Sequence, residues 1–321
     1  MAQKILVLGS SNADLIFRVP RFHQPGETIT AENLITVFGG KGANQAIAAK
    51  RLGGNVSLIT KLGNDSYGKS YLKYFVKNGL PRKFLLLDKK FPTGTAVIEL
   101  NPRGENRIIV SRGSNSSLSP KDLRKFPQVW QGVNVFVAQL EIPLPTVRMA
   151  LQAAKHHGAL TLLNPSPSIP LPDELLSQVD FLVPNELEAQ SLTGIKMRGD
   201  QNLPKIAKRL LNRGVKNVII TLGAKGLFFK NSDEEFRMKA FRVKPMDTTA
   251  AGDAFMGALA VGLSEGEAIP DVLAFASAAG ALATLQLGAQ PSLPSRKELG
   301  RFLNEQRDSL RSSWGDRVVG R

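Results

Sequence analysis

Asp247-Thr248-Thr249-Ala250-Ala251-Gly252-Asp253-Ala254-Phe255 carries the first chemistry in this chain. Its small residues stand before an Ala/Gly-rich apolar stretch, Ala254–Leu263, that reads as a helix. The first N–H groups of a helix lack partners inside it, and the macrodipole adds partial positive charge there. Such a segment suits an anion. Asp253 then stands where phosphate charge would gather. A carboxylate is repelled there unless it has work to do, such as accepting a proton from an attacking hydroxyl. The same aspartate could simply stabilise the helix dipole, and spacing alone does not separate the two.

Four further segments compete for attention. Gly39-Gly40-Lys41-Gly42-Ala43-Asn44-Gln45 lies between a β run and a helix. Glycines allow close backbone approach to a ligand, with Lys41 and Asn44 offering polar groups. A tight turn before a helix, with Asn44 as its cap, explains the same letters. In Ser11-Asn12-Ala13-Asp14, Asn12 and Asp14 fall on one side of an extended segment. An amide beside a carboxylate suits vicinal hydroxyls, although both residues are also turn formers. In Pro184-Asn185-Glu186-Leu187-Glu188, Asn185 and Glu188 have capping-box spacing. They could equally face nucleotide phosphates and the waters of Mg²⁺. Finally, Gly63-Asn64-Asp65-Ser66-Tyr67-Gly68-Lys69-Ser70 fits the P-loop pattern between a strand and a helix. Phe84–Asp88 even resembles an apolar strand ending in a magnesium-binding aspartate. Two phosphate-binding proposals therefore compete.

Short apolar runs alternating with helical patterns must position these segments. Lys4–Leu8, Val56–Leu62, Phe84–Leu87, Val133–Ala138, Leu160–Leu163, Phe181–Val183 and Val218–Thr221 read as strands. Gly42–Leu52, Tyr67–Lys77, Thr146–His156, Glu186–Leu192 and Leu203–Asn212 read as helices. That alternation indicates βαβ units and a mostly parallel sheet, with unbroken Val/Ile/Leu strands covered on both faces. Two stretches break it. Leu15–Val19, Thr28–Thr30 and Leu34–Phe38 are β-type runs separated by Pro and Gly. Thr95–Leu100 and Arg107–Ser111 flank the turn Asn101-Pro102-Arg103-Gly104 as a hairpin. Together they predict a small inserted sheet, placed to act as a lid.

The chain has 321 residues with 42 Lys/Arg against 27 Asp/Glu, a net charge of +15. That balance invites nucleic acid or an anionic membrane. The interleaving of acidic residues and the absence of any three consecutive Lys/Arg argue against it. A diffuse field that attracts phosphorylated metabolites is the alternative. The absence of cysteine excludes disulfides and thiolate zinc sites, and three histidines (His23, His156, His157) leave little for an imidazole site. Ile5–Leu8 is too short for a signal peptide and Ala254–Leu263 is half a bilayer span, so the reading is a soluble, cytoplasmic protein. Residues 307–321 carry little apolar periodicity and read as a poorly ordered tail after a domain of residues 1–306.

In this order the segments resemble the ribokinase-like carbohydrate kinase family. Gly39–Asn44 and Asp247–Asp253 match its two signatures. Gly9–Asp14, Pro25–Thr28, Asn164–Pro167, Pro184–Glu188 and Gly288–Ser292 support them, and the resemblance spans about residues 4 to 305. It implies a three-layer α/β/α fold with a mostly parallel sheet and an inserted β-sheet lid, at about residues 12–40 and 94–112. It implies transfer of the ATP γ-phosphoryl to the primary hydroxyl of a pentose, ribose first, with 2-deoxyribose, another sugar or a nucleoside as alternatives. Asp253 would be the catalytic base and the N–H groups of Ala250, Ala251 and Gly252 the anion hole. Asn12, Asp14, Gly40, Lys41, Asn44 and Glu141 would bind the sugar. Asn185 and Glu188 would serve the phosphates and Mg²⁺, the latter indirectly. Thr221, Gly223 and Gly226 would line the nucleotide side, with Ser277 near the adenine. Asp247, Thr249, Ala283, Gln286, Gly288 and Ser292 correspond to the family's K⁺ site. Ser277 and Gln286 depart from the residue types expected at those positions. The lid would pair two subunits into a homodimer. In that family the P-loop-like segment does not hold the nucleotide, which leaves Lys69 a surface lysine. The rivals from other classes are a P-loop NTPase using Gly63–Ser70 and a basic nucleic-acid-binding or regulatory protein on the same fold.

Overall fold

A computed structural model describes residues 3–103, 105–197 and 199–306. The predicted tail, 307–321, and Gly104 of the hairpin turn lie outside the described residues. The strands are β1 (Lys4–Leu8), β2 (Asn12–Arg18), β3 (Asn33–Gly39), β4 (Asn55–Gly63), β5 (Leu85–Asp88), β6 (Gly94–Leu100), β7 (Asn106–Ser111), β8 (Val133–Ala138), β9 (Leu160–Leu163), β10 (Phe181–Leu182), β11 (Asn217–Thr221), β12 (Leu227–Lys230) and β13 (Glu235–Met238). Nine form the main sheet in the order β13-β12-β11-β10-β9-β8-β1-β4-β5. All its pairs are parallel except β11–β12 and β12–β13.

The alternation of side chains along a strand explains why β1 reads as an unbroken apolar run. Ile5 and Val7 enter one core, with helices Lys41–Arg51, Ala251–Glu265 and Ile269–Ala283. Leu6 and Leu8 enter the other, with Val147, Ala150 and Leu151 of helix Leu144–His156 and Ile206 and Leu210 of helix Leu203–Leu211. Helices on both faces make three layers, as the sequence predicts. From β1 the chain builds outward through β4 and β5 on one side and through β8 to β11 on the other. In such a sheet the crevice beyond the strand ends, where the order reverses, is where ligands bind. Asn12, Glu141, Asn164 and Asn185 follow β1, β8, β9 and β10 respectively, and Thr221 ends β11.

The second sheet has the order β3-β2-β6-β7. Its hairpin β6–β7 lies where predicted, and β2 pairs in parallel with β6 over Asn12–Arg18 and Gly94–Leu100. Three expectations are corrected. Thr28–Thr30 belongs to no strand, because Pro25 and Gly26 lie in the connection between β2 and β3. The first lid strand begins at Asn12 rather than Leu15, its first three residues being buried. Helix Ala251–Glu265 begins three residues before the predicted Ala254, so Asp253 lies inside its first turn and not ahead of it. Ala251-Gly252 looks like a loop in sequence, yet Ala250 in the left-handed region (φ 60°) turns the chain directly into the helix.

Candidate active site

A cavity of about 810 Å³ opens between the ends of β9 to β11 and the start of helix Ala251–Glu265. Lys41, Asn185, Glu188, Thr221, Gly223, Gly226, Ala250, Ala251, Gly252, Asp253 and Ser277, all singled out from sequence, line it. Asn12, Asp14, Gly40, Asn44 and Glu141 do not line it; they lie beyond Lys41 and Asp253, towards the lid. Lys41 and Asp253 therefore stand where the two halves meet.

Asp253 is buried, and each carboxylate oxygen accepts one amide proton. Asn44 Nδ2 donates to Oδ2 and Gln45 Nε2 to Oδ1, both at 2.9 Å. The donors come from the first turn of helix Lys41–Arg51, which packs against helix Ala251–Glu265 through small residues. A Cβ added at Gly257 would stand 2.5 Å from the Ala48 side chain and 2.8 Å from Ala49 N. Burial pushes the Asp253 carboxyl above its ordinary range, while Lys41 and the two amides pull it back. Lys41 is held above its ordinary value by Asp253, Glu141 and Glu188, against the opposing effect of burial. It stays charged among carboxylates.

No side chain caps the start of helix Ala251–Glu265. A Cβ added at Gly252 would meet nothing within 4 Å, so that residue faces open space. Ala251 N–H points to Thr248 O at 3.3 Å, closing the turn before the helix. The helix start is therefore an electropositive rim beside a buried carboxylate.

On the lid side, Asn12 and Asp14 begin β2, both buried. Asn12 Oδ1 accepts from Asn115 Nδ2 at 2.8 Å. Asp14 Oδ1 is buried without a protein partner, and a Cβ at Gly39 would sit 1.9 Å from Oδ2. Burial, then Glu141 and Asp253, push the Asp14 carboxyl up to about 7. Glu141 accepts from Lys41 N at 3.1 Å and from Ser10 Oγ. Gly40 adopts φ 88°, and a Cβ there would meet Asn12 N and Ser11 Cα at 2.8 Å. The Gly-Gly turn thus brings the start of helix Lys41–Arg51 against the chain leaving β1.

Asn185 and Glu188 do form a capping box, with 2.9 Å bonds in each direction. Glu188 also lines the cavity, and burial raises its carboxyl above the usual range. The capping reading is thus present in the structure, and the same two residues line the cavity.

The proposed cation residues divide. Asp247 accepts from Thr249 N (2.8 Å), Thr249 Oγ1 (2.6 Å) and Gly288 N (2.8 Å), which brings those three together. Ala283 ends helix Ile269–Ala283, while Gln286 and Ser292 line a second cavity of about 360 Å³ with Arg51 and Glu298. The donor set is oxygen-rich with a single carboxylate, and Asp247 Oδ2, which accepts only from Gly288 N, keeps further acceptor capacity. That chemistry fits a monovalent cation. Among the described residues no group of three or more His, Cys, Asp or Glu side chains could hold a metal ion directly.

The P-loop-like segment builds something else. Asp65 caps helix Ser66–Lys77 by accepting from Gly68 N at 2.7 Å and also holds Thr93 N and Oγ1. A Cβ on Gly68 would stand 1.9 Å from Gly63 O. The glycines close a turn around a carboxylate that fills the position a phosphate would take. Lys69 is exposed and none of Gly63–Ser70 lines the large cavity. Likewise, Asp88 accepts from Lys90 N, Phe91 N and Ser117 Oγ, with Lys61 at 3.2 Å.

Sequence reasoning missed Gln45, although it closes the quoted glycine-rich segment, and Gln139, Asn115 and Tyr71, which carry no motif. Tyr71 Oη donates to Gly39 O at 2.7 Å and accepts from Gln290 Nε2, and its ring stacks on Phe38 at 4.2 Å.

Comparisons with known proteins agree with this geometry. The pfkB family carbohydrate kinase profile matches residues 2–296. The chain is 40% identical over 303 residues to the ribokinase of Haemophilus influenzae, covering 94% of this chain and 99% of that one. It is 33% identical to the deoxyribokinase of Salmonella typhi, covering 94% and 98%. A solved structure of Arabidopsis thaliana ribokinase complexed with ribose and ATP superposes with a TM-score of 0.88 at 32% identity, covering 94% of this chain and 99% of that one.

Proposed function

We propose, on the premise that this chain belongs to the pfkB family of carbohydrate kinases, that it phosphorylates D-ribose at the 5-hydroxyl with ATP. The observation that carries the reading is Asp253. It is a buried carboxylate in the first turn of an uncapped helix, held by Asn44 and Gln45 where the cavity meets the lid residues. The Haemophilus relative and the ribose- and ATP-bound Arabidopsis structure favour ribose. Asn12 and the unpartnered Asp14 Oδ1 offer buried partners for vicinal hydroxyls. The Salmonella relative keeps 2-deoxyribose as the second acceptor to test.

In this reading the sugar lies between Asn12, Asp14, Gly40, Lys41, Asn44 and Glu141, with its primary hydroxyl towards Asp253. ATP lies in the large cavity, with Thr221, Gly223, Gly226 and Ser277 on the nucleoside side. The hydroxyl oxygen attacks the γ-phosphorus in line while its proton passes to Asp253. The bond from phosphorus to the β,γ-bridging oxygen breaks, giving ADP and the sugar phosphate. The N–H groups of Ala250 and Gly252, with that of Ala251 once it leaves Thr248 O, lie at the positive end of the helix and with Lys41 stabilise the charge on the moving phosphoryl. Lid closure excludes water, which would otherwise accept the phosphoryl. Glu188 and Asn185 would meet Mg²⁺ through its waters, and Mg²⁺ would offset phosphate charge. Asp247, Thr249, Ala283, Gln286, Gly288 and Ser292 would surround K⁺ and hold the anion-binding turn in shape. A second copy would cover the outer face of the lid sheet. The expected setting is the cytoplasm, where ATP is at hand.

The test is sugar-dependent ADP formation with Mg-ATP and K⁺, comparing ribose with 2-deoxyribose. Ribose should give the higher kcat/KM. Asp253→Ala should lose at least about 10²–10⁴-fold in kcat. Lys69→Ala should match wild type. Turnover that ignores sugar and is lost with Lys69 would overturn the reading in favour of the P-loop rival.

A further inference from the structure

Gln45 and Gln139 form a buried amide relay behind Asp253. Gln139 Nε2 donates to Gln45 Oε1 at 2.5 Å. Gln45 Nε2 donates to Asp253 Oδ1 at 2.9 Å and lies 3.4 Å from Asn164 Oδ1. Both glutamines are fully buried. A side-chain amide can donate only from nitrogen and accept only at oxygen. The donation from Gln139 therefore fixes which way the Gln45 amide faces. Turned over, Gln45 would set its oxygen against the Asp253 carboxylate and its nitrogen against the Gln139 nitrogen.

The relay has a cost that packing does not explain. Gln139 Oε1 is buried with no protein partner, and an orphaned acceptor of that kind is worse than an apolar side chain of the same shape. The backbone also makes room for it. A Cβ on Gly9 would lie 2.0 Å from Gln139 Oε1. Gln139 is therefore carried at a cost, and the one group it serves by hydrogen bond is the Gln45 amide.

Resting on the reading of Asp253 as the base, we infer that Gln45 is a positioning residue that aims the Asp253 carboxylate, and that Gln139 acts through Gln45 by fixing its amide. Gln45 holds Oδ1 so that Oδ2, shared with Asn44, keeps one orientation towards the acceptor hydroxyl. Other titratable groups facing Asp253 are Lys41 on the same helix as Gln45, Glu141 after β8, Glu188 in the cavity, Asp14 on β2 and the neutral Tyr71 hydroxyl. None of these is altered by substituting the two glutamines.

The experiment compares Gln45→Met, Gln139→Met, the double variant and Asp253→Asn, with folding checked by thermal unfolding. Misplacing a reacting group by about 1 Å costs about 10²-fold, so Gln45→Met should lose ~10- to 100-fold in kcat. Its KM for ribose should stay within about threefold, since no sugar contact is removed. Loss of one hydrogen bond to the carboxylate should move the acidic limb of the kcat–pH profile to higher pH. Gln139→Met, which touches no part of Asp253, should shift kcat and that limb in the same direction by less. The double variant should match Gln45→Met, because the relay acts as one unit. Should Gln45→Met fail to fold, the effect of Gln139→Met on the limb decides. An inactive Asp253→Asn beside glutamine variants with unchanged kcat and unchanged limb overturns the relay. So does a rise in KM alone. An Asp253→Asn with near wild-type kcat overturns the assignment of the base instead.

Discussion

At the residue scale, the site rests on carboxylates whose surroundings set them apart. Asp65, Asp88 and Asp122 are held below the usual range by hydrogen bonds and lysines, as expected of structural carboxylates. Asp14, Asp253 and Glu188 are pushed above it by burial. Buried carboxyls raised together in this way are candidates for function. For Asp14 the sign follows directly. Its carboxyl titrates at 3.8 in an open environment and at about 7 here, so the folded chain holds a proton that the unfolded chain has lost. Its contribution to stability is present below about pH 4 and falls as pH rises towards 7, by up to about 4 kcal/mol. Asp14→Asn should remove that decline, so chemical denaturation at pH 5 and pH 8 should differ less in the variant than in wild type. The same variant should raise the KM for ribose. An undiminished pH dependence of stability would show that other groups cause it.

At the scale of elements, the site is held by one helix pair. Helices Lys41–Arg51 and Ala251–Glu265 meet at Gly257 without room for a side chain. Gly257→Val must push them apart. Overpacking of this kind costs about 1–3 kcal/mol, and the shift separates Asp253 from Asn44 and Gln45. A drop in kcat larger than the change in sugar KM is expected. Gly300→Ala, where a Cβ meets nothing within 4 Å, is the control and should leave activity unchanged. This pairing also shows what could be read from sequence. Strands β1, β8, β9 and β11 and the small lid sheet were legible, because strands buried on both faces read as unbroken Val/Ile/Leu and the lid is punctuated by Pro and Gly. Helices Ile269–Ala283 and Arg296–Glu305 and the antiparallel pair β12 and β13 were not predicted. The first is apolar nearly all round, since it is buried among neighbours, and gives no clear stripe. The site was legible where backbone chemistry leaves a motif, as at Gly39–Asn44 and Asp247–Asp253. It was not legible where only tertiary packing assigns a partner, as for Gln139, Asn115 and Tyr71. The P-loop match failed for the converse reason: the letters are right, but Asp65 occupies the turn they form.

At the scale of the molecule, the lid presents apolar surface to the outside. β7 is an exposed edge strand carrying Ile108 (54% exposed), Ile109 (71%) and Val110, and β3 at the other edge exposes Leu34 and Ile35. Exposed apolar edges of this kind associate unless covered. Sedimentation should give a dimer for wild type, and Ile109→Asp should shift it to monomer; a monomeric wild type would refute the second copy. Distance along the chain has a further consequence. Asn44 and Gln45 are separated from Asp253 by 209 and 208 positions, so the proposed base meets its holders only when two distant parts of the polymer have come together. During translation the side chains proposed to face the sugar are made long before the Asp253 carboxylate. On the proposed reading a nascent chain therefore stays silent towards ATP until residue 253 has been made and the two helices have met, so competence arrives late in synthesis.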